Sequence, residues 1–123
     1  MKKETIRNRA DKLLQSYIRL KFKGVLCYNC GERYVEVGHH FFTKASSNAL
    51  RYYLPNIIPL CNKCHCLVHA QPHLVNPKIC FLMGEAWYNN LLEVKRQGVK
   101  ANKEWYQFRL EEIESLTNER GKL

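Results

Sequence analysis

Acidic residues are scarce in this 123-residue chain, where eleven Asp and Glu stand against twenty Lys and Arg for a formal net charge of +9. The deficit is uneven. Residues 1–24 hold eight basic and two acidic side chains, residues 25–80 hold five and two, and residues 81–123 hold seven of each. A polyanion would therefore be held by the N-terminal arm and the central stretch. Long hydrophobic runs are also missing: no apolar stretch approaches the ~18 residues of a membrane span. The charged N-terminus lacks the apolar core of a signal peptide. The expectation is a cytoplasmic protein with no membrane partner. Internal repeats and low-complexity tracts are absent too. What remains is 46% apolar and 11% aromatic, the composition of a folded globule, and the length suits one domain over 1–123.

The six cysteines do not read as a disulfide scaffold. Four stand as two CxxC pairs, Cys27/Cys30 and Cys61/Cys64, with histidines interspersed and no secretory signal. Two such turns supply a tetrahedron of thiolates with little backbone strain, so these four are expected to hold a structural Zn²⁺ in a closed site. Gly31, directly after Cys30, permits the tight turn that lets two thiolates converge. Cys66 and Cys80 fall outside the pattern and are read as small apolar residues.

Around this frame the elements are short. A basic N-terminal helix over residues 4–22 carries an apolar stripe at Ile6, Ala10, Leu13, Leu14, Tyr17 and Ile18. Tyr34–Val37 alternates and is β-branched, predicting a strand that leads into Gly38-His39-His40. Ile57–Leu60 predicts a second strand, with Pro59 marking an edge or an irregular end. A helix begins near Asn62 and carries His65 and His69. Pro72 and Pro77 are read as punctuation of its exit. A helix over 85–97 and a last one from an Asn102 cap to about Glu119 complete a helical extension over 73–123. Their aromatics are read as core. The fold class is α+β: two strands and a helix wrapped around metal in residues 25–72, flanked by helices.

The histidines suggest a second site. His65 and His69 are four apart on the predicted helix and share one face. His39 and His40 are adjacent on a strand, so their rings point to opposite sides. One can face a metal and the other a water or an orienting group. Asn56 adds a carboxamide able to hold an imidazole.

In sum, GHH at 38–40, Asn56 sixteen residues after His40, and His65 nine residues after Asn56 within CxxCH resemble the HNH nuclease motif. The flanking CxxC pairs resemble the zinc-stapled branch of that superfamily. The basic N-terminal helix, the LRYYLPN approach and the helical tail are similar to phage recombination nucleases of the NinG/Rap type. The resemblance implies a ββα-metal (His-Me finger) core and a metal-dependent DNA endonuclease acting on branched or recombination-intermediate DNA. It implies His40 as general base and Asn56 as the residue that orients that imidazole or braces the loop. His39 and His65 would hold one divalent cation, with His69 as a third ligand. Mg²⁺ or Mn²⁺ is the expected catalytic ion, and an imidazole-rich set also suits Ni²⁺ or Zn²⁺. Expected DNA contacts are Arg51 first, for its bidentate fork, then Lys44, Lys63, Arg7 and Lys12. Paired cuts across a junction would call for a homodimer. Two alternatives stand beside this reading. One is a restriction- or packaging-associated nicking nuclease. The other is a non-catalytic zinc module that binds nucleic acid, which would leave the placement of the histidines without a reason.

Overall fold

Thr5 caps helix α1 (Ile6–Lys21), its hydroxyl accepting a hydrogen bond from the Asn8 amide at 3.1 Å. The computed structural model describes residues 4–121. After α1 come strand β1 (Val37–His40), a 3₁₀ turn at Leu54–Asn56, strand β2 (Ile57–Leu60), and helices α2 (Asn62–Ala70), α3 (Pro72–Met83), α4 (Glu85–Arg96) and α5 (Lys103–Gly121). The class is α+β, as expected. No helix among the described residues is long and apolar enough to cross a membrane.

The two strands pair antiparallel, with Val37 opposite Leu60, Gly38 opposite Pro59, His39 opposite Ile58 and His40 opposite Ile57. Because side chains alternate across a strand, this register assigns the two faces of the ribbon. Ile58 and Leu60 join Cys27, Cys61, Cys64, Val68, Val75 and Ile79 in one buried cluster. Ile57 joins Leu14, Tyr17, Ile18 and Ile113 in another, built mainly between α1 and α5. β2 is buried along its whole length and separates the two clusters.

Gly38 lets α1 lie close against β1. A Cβ there would meet Ile57 Cγ2 at 2.5 Å and Ile18 Cγ1 at 3.1 Å. The closeness is used by Gln15, whose carboxamide bonds both backbone groups of Gly38. Its Nε2 donates to the Gly38 carbonyl at 2.9 Å and its Oε1 accepts from the Gly38 amide at 2.8 Å. A side chain on α1 thus completes one rung of a third strand and fixes the height of the two histidines that follow.

Three expectations need correction. The first strand begins at Val37; Tyr34 instead forms an isolated bridge with Leu26, because the chain must first close the cysteine turn. Pro72 does stand at the exit from α2, which ends at Ala70, but Pro77 does not belong to that exit, since both prolines lie in a further helix, α3. Pro72 sits in the first turn, where no amide partner is needed. Pro77 lacks the N–H that would reach back to His73, yet the helix continues, because Val75 and Ile79 are buried against β2 and α2. Cys66 and Cys80 are not core residues: Cys66 is exposed on α2 and Cys80 is half-buried on α3. At the C-terminal end the Asn102 cap is as expected, its Oδ1 accepting from the Trp105 amide at 2.9 Å.

Candidate metal centres and the cleft beside them

The four cysteines Cys27, Cys30, Cys61 and Cys64 converge, with their sulfurs all within 4.8 Å of one another. Cys30 and Cys61 Sγ are 3.9 Å apart, near the ~3.8 Å edge of a tetrahedron with about 2.3 Å bonds. The chain builds this locally. Gly31 takes φ +64° and its amide bonds the Cys27 carbonyl at 2.9 Å. Cys61 follows β2 directly and caps α2, its sulfur accepting from the Cys64 amide at 3.4 Å. Asn29 donates to two of the sulfurs, from its backbone N–H to Cys27 at 3.4 Å and from Nδ2 to Cys64 at 3.3 Å. Lys78 on α3 donates to the Asn29 carbonyl and so ties the turn to the helical layer.

Backbone N–H groups of Glu32 and Arg33 draw the Cys30 thiol down to about 6. Burial pushes Cys61 up, and Cys64 up to about 12. Four buried or half-buried sulfurs at this spacing cannot all ionise without a compensating cation, and the arrangement suits a structural metal such as zinc.

His39, His65 and His69 form a second cluster whose ring nitrogens also lie within 4.8 Å of one another. β1 delivers His39 to the α2 face of the ribbon, and α2 presents His65 and His69 one turn apart. The Nε2 atoms of His65 and His69 are 3.0 Å apart. The His39 ring stands edge-on to both, at centroid distances of 5.3 and 5.5 Å. Burial, reinforced by the neighbouring imidazoles, lowers His39 to about 3 and also lowers His65. Neutral imidazole is the form that ligates metals, so His39 and His65 are in the state a cation requires. His39 is only 6% exposed, whereas His69 is open to solvent. The cluster therefore has a closed and an open side.

His40 points the other way, towards α1. Its Nε2 lies 2.8 Å from the Arg51 carbonyl. A carbonyl only accepts, so in the neutral ring Nε2 carries the proton and Nδ1 keeps its lone pair. Burial holds His40 below the ordinary histidine range, with the Lys44 charge acting in the same direction against the Arg51 hydrogen bond. Asn56 makes no hydrogen bond to this ring. It is fully buried, and its Oδ1 accepts from the Phe42 amide at 2.9 Å. Its Nδ2 donates to the Phe42 carbonyl at 3.0 Å and the Leu50 carbonyl at 3.2 Å. Of the two roles expected for Asn56, the geometry is that of a loop brace.

Arg51 is not free for an anion, contrary to its expected place as the first phosphate contact. Its Nε donates to Asp11 Oδ1 at 3.0 Å and its terminal nitrogen to Oδ2 at 2.6 Å; Tyr52 Oη donates to Oδ1 at 2.7 Å. The pair is largely shielded, with side chains 12% and 20% exposed. Burial alone would raise Asp11, but the bonds from Arg51 and Tyr52 outweigh it and lower the carboxyl. Lys12 and Lys44 line an open cleft together with His40, Asp11, Ser16 and Arg19. Arg7 lies elsewhere, near Lys103 and Tyr106, and Lys63 is exposed on α2. Sequence reasoning missed Asp11, Gln15 and Tyr52. Asp11 left one signal, as the only acid in an otherwise basic helix.

Comparison with protein families, curated proteins and solved structures finds no match to this chain. The fold and its geometry define a class instead. It is an α+β chain with a closed four-thiol centre and, on the same α2 face of the short ribbon, a three-imidazole cluster set back to back with an isolated histidine.

Proposed function

We propose that this chain is a metal-dependent DNA endonuclease of the ββα-metal type. The observation that carries the reading is the division of two adjacent histidines across β1. His39 joins His65 and His69 as a ligand set, while His40 faces a basic cleft with its Nδ1 lone pair unassigned. A non-catalytic zinc module has no use for that division.

In this reading His39, His65 and His69 hold one divalent cation, Mg²⁺ or Mn²⁺ in the first instance and Ni²⁺ or Zn²⁺ as alternatives that imidazole ligands favour. When bound, the cation supplies charge neutralisation at the scissile phosphate and the leaving oxygen. His40 performs the proton transfer: Nδ1 accepts a proton from the attacking water while Nε2–H stays bonded to the Arg51 carbonyl. A ring held neutral at pH 7 is competent for this step. Asn56 positions the Phe42–Leu50 loop, and through it the segment whose carbonyl holds His40. The four-thiol centre, loaded with Zn²⁺, anchors the base of β2 and α2 and takes no part in the chemistry. Binding through phosphates and shape suits branched substrates, and a homodimer would place two sites across a junction.

The test is cleavage of supercoiled plasmid and of a synthetic four-way junction with Mg²⁺, Mn²⁺, Ni²⁺ or Zn²⁺ added. Nicking that requires the cation, with the junction cut faster than linear duplex, is expected. No cutting with any of the four cations while the thiol site is loaded would turn the reading towards a nucleic-acid-binding module. Equal cutting of junction and duplex would remove the branched substrate. Light scattering with junction DNA tests the dimer, which a monomeric complex would rule out.

A further inference from the structure

The cleft that holds His40 does not end at Arg19. Arg19 also lines a second open cleft, with Lys23, Tyr34 and Asn62, so one exposed face of α1 joins the two. Basic side chains run along it: Lys44 and Lys12 beside His40, then Arg19, then Lys23. At the far end stands Tyr34, 65% exposed and engaged only through its backbone bridge to Leu26. The acids in this path are already occupied. Asp11 is held by Arg51 and Tyr52. Glu36 accepts from the Asn62 amide and from Asn62 Nδ2, both at 3.1 Å. The bonds that engage the basic residues are weak ones. Lys12 pairs with Glu4 at 2.6 Å in the open, and Arg19 reaches Ser16 at 3.2 Å. Exposed pairs contribute about 0–1 kcal/mol and exchange readily for phosphate.

A basic groove that tracks a backbone, ending on an exposed aromatic ring, is how proteins hold single-stranded nucleic acid. Duplex DNA offers no free base face to Tyr34. We infer that the two joined clefts form a track for one unpaired strand, running from His40 past Lys12 and Arg19 to a base stacked on Tyr34. The inference rests on the nuclease reading only for the polarity of the track. It narrows the substrate class to DNA with an unpaired strand next to the cut.

The experiment is fluorescence anisotropy of oligo-dT and of a duplex of the same length, with no divalent cation added and His40→Ala as background to prevent cutting. Tyr34→Ala in that background should weaken oligo-dT binding about tenfold, since stacking contributes roughly 1–3 kcal/mol per base, and leave duplex affinity within about twofold. Tyr34→Phe should restore it. Arg19→Ala with Lys23→Ala should lower the salt slope of oligo-dT binding by about 1.4, at roughly 0.7 per phosphate. Oligo-dT affinity unchanged in Tyr34→Ala, or an equal loss on duplex, would overturn the track. Plasmid cleavage reads separately. Tyr34-dependent binding by a protein that cuts nothing sinks the nuclease reading alone, and cutting with Tyr34-independent binding sinks the track alone.

Discussion

The two ligand clusters lie on neighbouring elements, yet they differ in closure. The thiol cluster offers four ligands, three of them buried, and it is supported by N–H donors from Asn29 and Cys64. The imidazole cluster offers three, one of them open to solvent. A site with four ligands and a finished second layer is saturated and serves the fold. A site with three ligands and an open side keeps room for a substrate oxygen. The comparison teaches that ligand count and closure, more than residue type, separate a staple from a candidate reaction centre in a chain this small.

The sharpest way to break the comparison is to remove one ligand from each cluster. Cys64→Ser should release the structural metal and unfold the central stretch, because metal binding at such sites contributes roughly 10–16 kcal/mol of apparent folding energy. The change would be read as lost helical circular dichroism and lost bound zinc. His69→Ala should leave both signals intact and remove only the second metal equivalent. If His69→Ala unfolds the chain as Cys64→Ser does, the clusters do not differ in kind.

A second test acts on the ribbon that carries His39 and His40. Gly38→Ala drives a methyl into Ile57 and Ile18 and displaces the strand from Gln15, at an expected cost of about 2–3 kcal/mol. Both histidine faces should be disturbed, while the thiol cluster should keep its metal. Urea unfolding checks the size, and a change under ~0.5 kcal/mol would mean that α1 and β1 adjust freely.

The Asp11–Arg51 pair is the third. Asp11→Asn leaves a shielded guanidinium with a poorer partner and should cost roughly 2 kcal/mol, measurable by the same unfolding curve. Tyr52→Phe, which removes one of the two donors to Oδ1, should cost less, about 1 kcal/mol. Equal stability of all three proteins would deny the pair its structural role.

The last test concerns pH, over the one unit in which its effect is about 1 kcal/mol. His39 has a folded value of about 3 against about 6.5 unfolded. Below pH 6.5 the unfolded chain takes up a proton that the folded chain does not. The stability linked to this neutral ring is therefore complete above 6.5 and falls as pH drops towards 3, by about 1.4 kcal/mol per unit. Acid release of the thiol-bound metal is common to wild type and His39→Gln, so the quantity to measure is their difference. Wild type should lose about 1 kcal/mol of its advantage over His39→Gln between pH 6.5 and 5.5; a pH-independent difference contradicts the assignment.

Much of this was legible in the chain itself, for reasons that differ by residue. The CxxC spacing specifies the thiol cluster because the turn that joins each pair is local. The strand alternation at His39-His40 and the one-turn spacing of His65 and His69 specify opposite and shared faces by periodicity alone. Asn56 was legible only as a pair of roles, since the carbonyls it meets come from a loop with no pattern. Arg51 was misjudged because its partner, Asp11, lies 40 residues away, and an ion pair across such a separation has no local signature. α3 was hidden by its prolines: Pro77 is unfavourable in a helix on local grounds, and the burial of Val75 and Ile79 that overrides it is tertiary.

The most direct test of the account is metal-dependent plasmid nicking by wild type, His40→Ala and His69→Ala, each with its bound metal counted in the same sample. The account predicts that wild type cuts with both sites loaded and that His40→Ala keeps both metals but does not cut. It predicts that His69→Ala keeps the thiol-bound metal, loses the other and does not cut. A His40→Ala protein that nicks as fast as wild type would contradict the division of roles between the two histidines of β1.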